Sequence, residues 1–126
     1  MRVGLVVVGD LDSRTGGYYY DRRLVAGLRA AGDAVDTLEL PWASYPRRLA
    51  RGVDARTRRR LAAFARGRDV LLQDELAHPT LLAANGALDG TPLVGLVHHL
   101  RADEGRPATP LYRALERRYC RGLDAV

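Results

Sequence analysis

Three short clusters carry the residues best suited to chemistry. His98-His99 followed by Arg101 could set an imidazole for proton transfer beside a cation that meets an anionic group. If the pair ends a strand, its side chains point to opposite faces and only one can face a cleft; a histidine held by a backbone carbonyl would look the same. Asp74, Glu75 and His78 could bind sugar hydroxyls or move protons. Acids just ahead of a helix would equally serve as caps. Gly16-Gly17 lets the backbone approach a ligand and leaves the first amides of a following helix free for phosphate, although an ordinary tight turn uses the same pair. Tyr18 and Tyr19 could border such a ligand or cover loop backbone.

The elements that must position these clusters follow from the apolar pattern. Val3 to Val8 is a near-continuous apolar run of the kind buried on both faces in a parallel sheet. Tyr20, Leu24, Leu28 and Ala31 recur at helical spacing, and Gly32 closes that helix. Ala34 to Leu40 alternates as a second strand stopped by Pro41, and Trp42 to Gly52 is a connection. Asp54 caps a second helix with Thr57, Leu61, Phe64 and Ala65 on one face and Arg56, Arg58, Arg59 and Arg60 on its wet side. Asp69 to Leu72 is a third strand. Leu81 to Leu88 is a third helix with Pro79 in its first turn, and Leu93 to Val97 is a fourth strand. The segment from about Pro110 to Arg121 is a helix with Leu111, Leu115 and Tyr119 along one face, and Leu123 to Val126 opens a fifth strand. The alternation predicts one α/β domain over residues 1–126, a three-layer Rossmann-like parallel sheet with right-handed crossovers. A strand that has just begun at Val126 points to a domain cut from a larger fold.

In such sheets ligands bind beyond the carboxyl ends of the strands, where Gly9 to Gly17, Gln73 to His78 and His98 to Arg101 fall. The 20 basic residues are all arginine, so a phosphate-loop ATPase and a Schiff-base enzyme are excluded for want of a lysine. The glycine loop does not match G-x-G-x-x-G. No H-E-x-x-H spacing occurs and Cys120 is the single cysteine, so no zinc site or internal disulfide is expected. No apolar stretch is long enough to span a bilayer, and the start lacks signal-peptide features, which reads as cytoplasmic. The net charge of +5 reflects arginines spread along the chain. The stretch Arg47, Arg48, Arg51, Arg56, Arg58, Arg59 and Arg60 could bring the chain to the anionic inner face of a membrane. Nucleic-acid binding is not expected, because aromatics do not interleave with the arginines.

Taken in order, the opening strand with Gly16-Gly17, Asp21 to Gly32, Leu71 to Pro79, Val97 to Arg101, and Tyr112 to Tyr119 with Asp124-Ala125 resemble the N-terminal half of family 4 glycosyltransferases. The resemblance implies a truncated GT-B fold and retaining transfer of a sugar from a nucleotide donor to an acceptor, with no metal or other cofactor. It implies His98 close to the transferred sugar, Gly16 and Gly17 near the donor phosphates, and Glu75, His78, His99 and Arg101 on the acceptor side. The family's donor half carries a Glu-x7-Glu pair. Glu39, Glu75, Glu104 and Glu116 contain no such spacing, so the partner this domain needs is a C-terminal domain outside the chain, and the domain alone is expected to be inactive. The alternative is a non-enzymatic Rossmann-like module that binds a nucleotide or another anion.

Overall fold

The structure, a computed structural model, describes residues 1–9, 16–97 and 109–126. Strand β1 (Arg2–Val8) is buried from Val3 to Val8, because it runs between parallel neighbours on both sides and under helices on both faces. It pairs with β2 (Ala34–Leu40) and β3 (Val70–Asp74), and β3 pairs with β4 (Leu93–Leu96), giving a parallel sheet ordered β2-β1-β3-β4. Beyond β4, a parallel bridge joins Val94 to Ala125, where the sequence predicts a fifth strand to open.

Helix α1 (Gly16–Ala30) covers one face of the sheet, with Tyr18, Val25 and Leu28 packed on Val3, Leu5, Val7 and Val35. Helices α3 (Ala55–Ala65), α4 (His78–Ala84) and α5 (Thr109–Arg121) cover the other, where Leu61, Leu81 and Tyr119 meet Val6, Val8, Leu71 and Leu93. The described residues therefore form three layers. Fully buried leucines such as Leu5, Leu61, Leu71 and Leu81 each contribute roughly 2 kcal/mol through burial.

Several expectations need correction. The inner stripe of α1 runs through Tyr18, Asp21, Val25 and Leu28, whereas Tyr20 is half exposed and Ala31 lies beyond the helix. With the helix beginning at Gly16, the residues three to four apart that meet the sheet start at Tyr18. The segment read as a connection contains α2 (Tyr45–Arg51), with Pro46 in its first turn and Tyr45 and Arg48 buried. On α5, Leu111 is exposed while Glu116 and Tyr119 are buried, so the inner stripe is rotated from the one expected. The third helix is also shorter than expected, with 3-10 turns at Glu75–Ala77 and Asn85–Ala87 on either side of α4. The basic stretch is not a continuous outer surface, since Arg48 is buried and Arg58 is tied to the Ala83 carbonyl at 2.7 Å.

Candidate functional site

The chain passes from β1 to β2 on one side of the sheet and then returns to β3 on the other. The crevice at the carboxyl ends of β1 and β3 is thus a topological switch point, the place where open α/β sheets take ligands. Here β1 is followed by Gly9, whose backbone has φ +77°, a conformation that suits glycine. Its amide donates to the Leu40 carbonyl at 2.8 Å.

Two carboxyls meet in this crevice. Asp74 ends β3 on the same face as Val70 and Leu72, which is the face that α1 covers, and Asp21 projects from the inner stripe of α1. Asp21 is fully buried and Asp74 is 1% exposed. Burial first, then the charge of Asp21 and the side-chain hydrogen bond between the two, raises the Asp74 carboxyl to about 8 against the ordinary value near 3.8. Two carboxylates this close and this dry cannot both ionise at neutral pH, so the pair holds one proton between them. Asp74 also accepts from the Leu76 amide at 2.9 Å, capping the 3-10 turn, so the capping role open in the sequence is fulfilled by an acid that has a second neighbour. Tyr18 completes this side. Its phenol is pushed up to about 12, chiefly by burial and then by Asp74 and Asp21, with Arg48 pulling the other way.

The second wall is built by α2. Buried Arg48 donates to the Leu76 carbonyl at 2.6 Å and lies 4.6 Å from the centroid of the Trp42 ring, which fixes the guanidinium across the mouth of the site. Trp42 itself is 62% exposed. Tyr45 holds α2 in place through a 2.8 Å bond between its hydroxyl and His78 Nε2. The other ring nitrogen of His78, Nδ1, lies 2.8 Å from the Glu75 carbonyl. A carbonyl only accepts, so Nδ1 carries a hydrogen, and in the neutral ring Nε2 accepts from the tyrosine. The Tyr45→Phe substitution should therefore cost about 1–3 kcal/mol, by leaving a buried nitrogen without its partner; chemical denaturation measures it, and an unchanged midpoint would contradict this reading of the bond.

Beneath the crevice, on the opposite face of the sheet, the Tyr119 hydroxyl donates to Gln73 Oε1 at 3.0 Å. The Gln73 and Asn85 amides exchange bonds of 2.8 and 3.0 Å. This network is closed on itself and braces β3.

Of the residues singled out in the sequence, Glu75 and His78 are buried beside the crevice, with both ring nitrogens of His78 engaged inside the fold. Gly16 and Gly17 form the first turn of α1. His98, His99 and Arg101 lie outside the described residues. Asp21, Tyr45 and Arg48 were not singled out as site residues. Each is a polar or aromatic residue on a buried helical stripe, and that pattern is the signal that could have found them.

Among the described residues no group of histidine, cysteine and acidic side chains is arranged to hold a metal ion, and no helix is long and apolar enough to cross a membrane. The carboxyl pair and the Arg48 guanidinium are buried at this end of the sheet, and the Trp42 indole face is exposed over them. Comparison with protein-family models, curated proteins and solved structures finds no match to this chain.

Proposed function

We propose that the chain is the acceptor-side domain of a retaining nucleotide-sugar glycosyltransferase, as its resemblance to family 4 implies. The observation that carries this reading is the exposed Trp42 face, stacked on Arg48 at the carboxyl end of the sheet beside the buried Asp21–Asp74 pair. An exposed indole face can take the apolar side of a pyranose ring. Gly16-Gly17, at the start of α1, would bring helix amides toward the donor phosphates. His98 would sit close to the transferred sugar. In this scheme the donor is gripped by a second domain, and the present domain contributes acceptor positioning, which by itself accounts for a large part of such catalysis.

A second reading, a non-enzymatic module binding a nucleotide or another anion, draws on Gly16-Gly17 and the arginines. Calorimetry of the chain with nucleotides and nucleotide sugars separates the two. The transferase reading expects weak or no heat from donors alone, because most of the donor site is contributed elsewhere. Saturable binding of a nucleotide by this chain would favour the module and count against the transferase.

A further inference from the structure

The carboxyl end of β2 and the corner between α2 and α3 enclose a separate groove of about 370 Å³, lined by Arg51, Arg56 and Arg60 together with Pro41, Asp54 and Thr57. We propose that this groove binds a phosphoryl group carried by a small soluble molecule.

The case rests on how charge is distributed there. Asp54 is the acidic residue of the lining, and its carboxylate is turned onto the start of α3. It accepts from the Arg56 amide at 3.3 Å and from Thr57 Oγ1 at 3.4 Å. It forms no ion pair with a guanidinium among the described residues. Nearby arginines are committed to backbone carbonyls, Arg48 to Leu76, Arg58 to Ala83 and Arg59 to Ala55. Arg51 is held at the rim by the Pro41 carbonyl at 3.3 Å, leaving further donors on its planar fork.

Arg56 and Arg60 lie four apart on α3, so their like charges repel along one helix face. An anion seated between them removes that repulsion. A concave site with three guanidiniums concentrates anions, and the fork geometry of guanidinium matches phosphate oxygens in pairs. The groove opens at the same edge of the sheet as the crevice, at the end of β2 instead of β1 and β3. It does not depend on the glycosyltransferase reading.

Titrating the chain with inorganic phosphate at constant ionic strength, followed by NMR, tests the assignment. Signals of Arg56, Thr57 and Arg60 should shift and saturate. The double variant Arg56→Ala, Arg60→Ala should weaken binding about tenfold or more, since two charge-assisted contacts go. The variant Arg113→Ala, Arg117→Ala removes equal charge from the exposed side of α5 and should bind as the parent does. Shifts that never saturate, or equal weakening in both double variants, would overturn the site. Sedimentation with phosphatidylglycerol vesicles separates the sources: the soluble ligand predicts no Arg56- and Arg60-dependent sedimentation, and such sedimentation uncompeted by phosphate would overturn it.

Discussion

The protein should lose stability as pH rises from about 5 to about 8, and Asp21→Asn should reduce that loss, because burial of Asp74 remains while the opposing charge goes. Asp74 has a folded-state value raised well above the ordinary carboxylate range. The stabilisation it brings is fully present below the unfolded value near 3.8 and is lost as pH rises through the folded value near 8. Between those limits the folded chain holds one proton more than the unfolded chain, so stability falls by at most about 1.4 kcal/mol per pH unit. With asparagine at position 21 the opposing charge is gone and the amide donates to Asp74, so Asp74 ionises at lower pH. At pH 8 the variant should be more stable than the parent by about 2 kcal/mol. Denaturant midpoints across the pH range check this. A flat parent profile, or a variant weaker than the parent at high pH, would remove the shared proton from the account.

Gly52→Ala should destabilise the fold by about 3 kcal/mol or more. Gly52 has φ −62° and ψ −23°, an ordinary helical conformation, so alanine fits its backbone and the difficulty is one of space. An added Cβ would collide with the Thr80 carbonyl oxygen and stand 3.2 Å from the Ala83 Cβ. The carbonyl belongs to α4 and cannot swing aside as a side chain could, so α2 would have to lift. Lifting α2 strains the bonds from Tyr45 to His78 and from Arg48 to Leu76, which hold the second wall of the crevice. Gly27 offers the contrast. It lies in α1 with nothing within 4 Å of an added Cβ, and Gly27→Ala should stabilise by about 0.5–1 kcal/mol through helix propensity and chain entropy. Urea denaturation of the two variants reads both effects. A Gly52→Ala protein as stable as the parent would mean that the two helices are less closely seated than described.

Much of the architecture was legible because the strands carry strong local patterns. The apolar run of β1 states its burial without reference to partners, β2 places Val35 in the core on one face and Leu38 and Leu40 in the core on the other, and Asp54 caps α3 as its type suggests. The helices were less legible where a polar residue sits on the inner face. Asp21 interrupts the α1 stripe and Glu116 the α5 stripe, so the periodic pattern was placed on a neighbouring line of residues. Helix α2 was missed because its seven residues offer only Tyr45, Leu49 and Ala50 as apolar markers, and because its buried Arg48 is fixed by Trp42 and the Leu76 carbonyl. Those are contacts between elements, and no local pattern encodes them. For the same reason Asp74 could be read from sequence as a cap but not as half of a carboxyl pair: its partner lies fifty-three positions earlier, on another element.

The functional claim is tested most directly by assaying the gene's whole product with nucleotide sugars and candidate glycan, lipid and small-molecule acceptors, following nucleoside diphosphate release and the anomeric configuration of the product. The account predicts acceptor-dependent release with retention, and a fall of about a hundredfold or more in turnover on His98→Ala with folding intact. Absence of acceptor-dependent release from every donor, or a His98→Ala enzyme that turns over as the parent does, would contradict it.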